Sequence, residues 1–149
     1  IGFLDRKLRI VNENTDNLKD WMDAAVTAYQ TSKAYEWQGD NLLLARESLL
    51  YTFIDNYEFK FGERPDREHV KEIAFIISWN VWQMDGLKGV IPNSCHDVET
   101  RNLYGEVERT PCPGCKTKNI HKHNGIPVLL KVFSSGNTYP YHLLYNKNE

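Results

Sequence analysis

Between Asp40 and Gly62 the chain carries an unbroken helical pattern, and no other stretch restricts the fold as strongly. Asp40 is suited to cap a helix running from Asn41 to about Phe61, and Gly62 is suited to close it. Leu43, Leu50, Ile54, Tyr57 and Phe61 form one stripe, and Leu42, Ala45, Leu49 and Phe53 widen it. A stripe this broad predicts a helix that is mostly buried. Two further helices are expected beside it. Thr15 or Asp16 caps the first, whose Leu18, Trp21, Met22, Ala25 and Tyr29 recur at helical spacing to about Ser32. Asp66 caps the second after Pro65, with Val70, Ile73, Ala74 and Ile77 as its buried face and its charges on a solvated surface.

Around these helices the pattern reads as extended. Residues 1–14, with Leu8, Ile10 and Val11, suggest a short strand or lead-in. Tyr35-Glu36-Trp37 suggests a second strand, and Ser78 to Gln83 a third, because aromatic and β-branched residues replace the helical spacing there. The tryptophans of this last stretch, Trp79 and Trp82, are expected to pack in a core or line a pocket. A loop from Gly86 to Asn93 leads into a tail of short extended pieces at 102–107, 120–123, 127–133 and 139–145. Ser134 to Asn137 makes a hairpin loop between the last two.

Charge separates the two parts. Residues 1–94 hold 11 Lys and Arg against 15 Asp and Glu, whereas residues 95–149 hold 7 against 5. With a net charge of -2 the chain is not a basic nucleic-acid binder of the obvious kind. No apolar run reaches the roughly 20 residues needed to cross a bilayer, and the start, Ile1-Gly2-Phe3-Leu4, has no signal-peptide pattern and reads as a piece of something longer. The histidine of the first part, His69, is expected on the exposed side of its helix.

The tail holds all three cysteines and four of the five histidines, and this is where the sharpest chemistry lies. Cys112-Pro-Gly-Cys115 brings two thiols to one point, and a tetrahedral zinc ion needs two more ligands. Cys95 offers a third thiol, and His121 or His123 the fourth donor; the two histidines, two apart in an extended segment, would share a face. Such a closed set predicts a structural Zn2+ stapling a tail with little core of its own. An odd number of cysteines with flanking histidines fits a reducing, cytoplasmic compartment better than a disulfide framework. A redox Cys-x-x-Cys fits less well, because Pro-Gly followed by Lys-Thr-Lys does not read as helical.

Glu36 and Asp85 form a second constellation, acids at or near the ends of two expected strands. In doubly wound α/β folds an acid so placed commonly holds a ribose hydroxyl, although loop acids and helix caps are an equally ordinary reading. The chain has no Gly-rich phosphate loop, no Ser/His/Asp order and no His-Glu-x-x-His.

The run Tyr35 to Tyr57, with Ala45-Arg46-Glu47, and the run Ile76 to Leu87, with Asn80-Val81 followed by Asp85-Gly86-Leu87, resemble segments of adenine-specific DNA methyltransferases of bacterial restriction-modification systems. The resemblance covers about residues 15–90. It implies a partial Rossmann-like sheet, S-adenosylmethionine as cofactor and DNA as substrate. Glu36 would take the cofactor ribose and Asp85 its adenine. The Cys/His tail is similar to an insertion found in some members. The family's Gly-rich cofactor loop has no counterpart before Glu36, and no Pro-Pro pair follows Asp85 to hold a target base. The chain alone is therefore expected to have no catalytic residues of its own, and to depend on a parent enzyme.

The expected architecture is α/β. Helices pack on a partial Rossmann-like sheet in residues 1–94, and residues 95–149 form a β-rich, zinc-ribbon-like appendage. Unpaired sheet edges leave room for self-association. The competing reading is a non-enzymatic zinc-ribbon module that docks nucleic acid or protein. It rests on Lys116, Lys118 and Lys122 and on the aromatics Tyr104, Phe133, Tyr139, Tyr141 and Tyr145.

Overall fold

The computed structural model describes residues 2–145 and divides into two compact units, Ile1–Trp82 and Gln83–Glu149. The sequence placed the division after residue 94. The segment between belongs to the second unit because its backbone is bonded there. Asp85 N–H donates to Val90 O, Ile91 N–H to Ile126 O and Val128 N–H to Gly89 O. Among the described residues the fold is mixed α/β, with five α-helices and small sheets.

The first unit runs α1 (Phe3–Asn14), α2 (Leu18–Gln30), β1 (Ala34–Glu36), α3 (Gly39–Phe61) and α4 (Arg67–Asn80), and β2 (Val81–Gln83) leaves it. α1 and α4 each pack on both α2 and α3. Trp21, fully buried, is the centre of this packing: its ring meets those of Phe53, Tyr57 and Phe61 at centroid distances of 5.7, 5.4 and 5.7 Å. Its indole N–H donates to Asn12 Oδ1 at 2.6 Å, so the one polar atom of the side chain is satisfied. Where a partial Rossmann-like sheet was expected beneath the helices, the described residues of this unit show β1 paired with β2 alone.

Several local expectations need correction. Residues 3–14 are helical, not extended. The spacing that matters is Leu4 to Leu8, both buried, while Ile10 faces solvent. Asn17, rather than Thr15 or Asp16, caps α2, its Oδ1 accepting from Asp20 N–H at 2.9 Å. α3 begins at Gly39, so Asp40 sits in its first turn instead of capping it. Gly62 closes α3 in the left-handed conformation (φ 73°), and Asp66 caps α4 as the sequence indicated. α3 is also less buried than its stripe suggested: Leu43 is 69% exposed. α4 continues through Asn80, so only Val81–Gln83 of the expected strand is extended. The reason is packing. Ile73, Ile76, Ile77 and Asn80 are buried at helical spacing, and the Asn80 amide donates to the terminal carbonyls of α2, Tyr29 O at 2.9 Å and Gln30 O at 3.0 Å. Arg46 of α3 does the same for α4, donating to Val81 O at 2.7 and 3.0 Å.

The second unit holds two hairpins, β3 (Val98–Arg101) with β4 (Val107–Thr110) and β5 (Leu129–Lys131) with β6 (Thr138–Pro140). Residues 102–106, read as extended, are the turn of the first hairpin. The loop expected at 134–137 joins the second, with Gly136 at φ 73°. α5 (Pro113–Thr117) is one short helix, and two 3-10 turns cover Ile120–Lys122 and Tyr141–Leu144. Among its described residues the buried apolar side chains are Met84, Val90, Cys112 and Val128. So few cannot hold a unit of this length by burial alone, and small domains of this kind normally need a covalent or metal staple.

Candidate metal centre

The β3–β4 hairpin sets the site. Its register pairs Val98 with Thr110, so the chain just outside the pair returns to one place, with Cys95 before β3 and Cys112 after β4. Pro113 then starts α5, where its fixed φ suits the first helical position and its missing N–H costs nothing. That single turn swings Cys115 back beside Cys112, and Lys116 N–H donates to Cys112 O at 2.9 Å. The Pro-Gly sequence is therefore helical here, against the sequence expectation. A 3-10 turn follows, capped by Asn119, whose Oδ1 accepts from His121 N–H at 2.9 Å, and it delivers His123.

Cys95, Cys112, Cys115 and His123 converge, with all four donor atoms within 4.8 Å of one another. His123 Nδ1 lies 3.5 Å from Cys95 Sγ and 3.7 Å from the sulfurs of both Cys112 and Cys115. Bond lengths of about 2.3 Å to sulfur and 2.0–2.1 Å to nitrogen give a tetrahedral S···N edge of about 3.6 Å. The cluster has those edges. A hydrogen-bond network does not explain it equally well, since one ring nitrogen has one lone pair to offer three thiols. The cluster can hold a metal ion, and its soft, closed Cys3His donor set has the composition of a structural zinc site.

The surroundings fit that use. Asn124 N–H donates to Cys112 Sγ at 3.3 Å, while the Asn124 side chain clasps the backbone of His96, accepting from its N–H at 3.2 Å and donating to its carbonyl at 2.8 Å. One residue thus ties the Cys95 loop to the Cys112 loop. Gly114 and Gly125 leave room for the ligands. A Cβ at Gly114 would stand 2.5 Å from His123 Cγ, and one at Gly125 would stand 2.5 Å from Ser94 Oγ and 3.1 Å from Cys95 Sγ. Asn124 and Gly125 escaped the sequence reading; their only local signal was their place just after His123.

The cysteines are electrostatically unequal. Burial works to raise the Cys112 pKa, but N–H groups of Asn124, Cys115 and Gly114 and the His123 ring outweigh it and bring the thiol down to about 6. Burial, reinforced by the neighbouring Cys112 and Cys115 sulfurs, pushes Cys95 up to about 11. Three sulfurs so close cannot all carry charge without a cation among them. Burial disfavours the charge of nearby Lys88, yet Asp85 and the sulfurs of Cys115 and Cys95 more than offset this and raise its pKa.

The other expected site residues have different surroundings. His121 is not in the cluster. The 3-10 turn separates it from His123, and its ring lies edge-on to His142 with centroids 5.6 Å apart. His96 is also outside the donor set. Asp85, 4% exposed, organises its own turn: Oδ1 accepts from Leu87 N–H at 3.0 Å and Oδ2 pairs with Lys88 Nζ at 3.4 Å. Glu36, in the first unit, accepts from Gln38 N–H at 3.1 Å at the approach to α3. His69 is half-buried, its Nδ1 3.3 Å from Asp66. Trp79 and Trp82 are half-buried against each other at 6.2 Å, and the Trp82 indole donates to Trp79 O. Among the described residues no helix is long and apolar enough to cross a membrane. No protein-family model, curated protein or solved structure matches the chain.

Proposed function

We propose that the second unit is a structural zinc module, with Cys95, Cys112, Cys115 and His123 as ligands, carried by a portion of a SAM-dependent adenine-specific DNA methyltransferase of a restriction-modification system. The observation that carries the zinc reading is the closed four-donor cage, whose S···N separations of 3.5–3.7 Å leave no open coordination position for catalysis. Metal analysis of freshly purified protein, with chromophoric detection of ion released by a thiol-blocking reagent, tests it. About one zinc per chain is expected, and its absence from protein purified without chelator sinks the reading.

The methyltransferase reading is supported by the sequence of Ala45–Glu47 and Asn80–Leu87, and by the pairing of β1, which ends on Glu36, with β2. On this reading Glu36 takes the ribose hydroxyls of S-adenosylmethionine, Asp85 the adenine, and DNA is the substrate of the cytoplasmic parent enzyme. Because the Asp85 carboxylate is buried in its own turn, Glu36 gives the sharper test. Calorimetric titration of S-adenosylmethionine into the full parent chain should show binding that Glu36→Gln weakens; equal affinity of the two proteins would refute the assignment.

A further inference from the structure

The helical unit contains a cavity that neither the metal cage nor the cofactor assignment uses. It measures about 200 Å³ and lies where the start of α1, the end of α2 and the end of α4 meet β1 and β2. Leu4, Tyr29, Ile77, Asn80 and Val81 line it from the buried side, and Phe3, Lys33 and Ala34 line it from the exposed side. Neither Glu36 nor Asp85 is in its wall.

Most polar groups of that wall are committed to the protein itself. Tyr29 O–H donates to Leu49 O at 2.7 Å, Thr52 O–H to Ser48 O at 2.8 Å and Ser32 O–H to Ala28 O at 2.7 Å. The Asn80 amide is spent on the end of α2. Asp5 is the one carboxylate in the wall among the described residues, and both its oxygens are engaged, with Arg9 at 3.1 Å and Asn56 Nδ2 at 3.3 Å. Two ammonium groups are fixed on lining residues. Lys33 Nζ sits on Asn80 Oδ1 at 2.9 Å, and Lys7 Nζ sits on Ser32 Oγ at 3.1 Å and over the Phe3 ring at 4.8 Å. Burial lowers the Lys33 pKa, the response of an ammonium held against an apolar wall. The cavity thus pairs an apolar floor with positive charge at its edge.

We infer that this cavity binds a small monocarboxylate with an apolar body of about six to eight carbons. An apolar cavity of about 150 Å³ takes up benzene, so this one has room for a ring of that size and a carboxylate. The body lies against Leu4, Leu49, Ile77 and Val81; the carboxylate meets Lys33, and Lys7 adds charge beside it. A single negative charge suits the site better than a phosphate dianion, because each charge brought against an apolar wall is costly to desolvate. The inference rests on neither the zinc nor the methyltransferase reading.

The test is an amide-resolved NMR titration of the full chain with phenylacetate, with its neutral isostere phenylacetamide, and with S-adenosylmethionine as competitor. Saturable shifts are expected at the amides of Leu4, Ala34 and Val81, with a Kd for phenylacetate of about 1 mM. Phenylacetamide should bind about 10-fold more weakly. Lys33→Met should weaken phenylacetate about 10-fold and leave phenylacetamide unchanged, and Lys7→Met should weaken phenylacetate about threefold. Absence of saturable shifts at about ten times the expected Kd overturns the inference. Equal affinity for phenylacetate and phenylacetamide overturns it too, as does a Lys33→Met variant with a folded spectrum and wild-type affinity. Shifts confined to the second unit would place the ligand elsewhere and refute the site. Displacement of phenylacetate by S-adenosylmethionine would assign the cavity to the cofactor and refute the monocarboxylate.

Discussion

Replacing Gly114 by Ala tests the metal cage without touching a ligand. The added Cβ would lie 2.5 Å from both Cγ and N of His123 and 2.7 Å from its Nδ1. Ordinary contact begins near 3.4 Å, so His123 has to retreat by about 0.9 Å. Metal–ligand bonds tolerate about 0.2 Å, and the short α5 helix cannot absorb the rest because Asn119 N–H is anchored on Gly114 O at 3.1 Å. Displacing a ligand support of this kind typically lowers metal affinity 10- to 100-fold, or about 1.4–2.7 kcal/mol. Competition against a chromophoric chelator of known affinity measures this directly. Gly86→Ala is the matched control, since a Cβ there meets nothing within 4 Å. If Gly114→Ala holds zinc within twofold of wild type, the cage does not bind metal through His123 as drawn.

Trp21→Ala should cost the helical unit about 3–5 kcal/mol, because it empties a fully buried site among three aromatic rings; urea unfolding of the helical signal reads it. A loss under 1 kcal/mol would mean that the core lies elsewhere. Asn80→Ala removes two hydrogen bonds to the end of α2 and the acceptor of Lys33 Nζ at 2.9 Å, and should cost about 1–3 kcal/mol in the same assay. Tyr29, whose hydroxyl donates to Leu49 O at 2.7 Å, has its pKa raised by burial. A folded-state pKa above the unfolded value near 10 means that the neutral form stabilises fully below about pH 10 and loses that contribution as pH rises. Tyr57 shifts the same way, mainly by burial, whereas burial lowers Lys33 and opposes them. Wild type should therefore lose its advantage over Tyr29→Phe between pH 10 and 11.5; a constant difference across that range would contradict the shift.

Much of what could be read directly was local. Gly62 at φ 73°, the Asp66 cap and the hairpin turn at Gly136 each depend on residues within a few positions, so composition alone fixes them. The Cys112-x-x-Cys115 knuckle belongs with these, since two residues between thiols suffice to bring them together. The sequence therefore determined that the tail carries a metal-type donor set, and it showed three of the four helices that precede it.

Tertiary structure decided the rest, because the deciding contacts are distant in sequence. α1 is helical since Leu4 and Leu8 find a core, although Ile10 and Val11 suggested a strand. α4 runs on to Asn80 because that amide reaches the end of α2, some 50 residues earlier. The choice of His123 over His121 follows from a 3-10 turn whose angle depends on the Asn119 cap and on the packing of α5. Cys95 joins the set only because the β3–β4 register brings residues 98 and 110 together. Periodicity can say which residues share a face. It cannot say what covers that face, and so exposed Leu43 looked as fit for a core as buried Phe53.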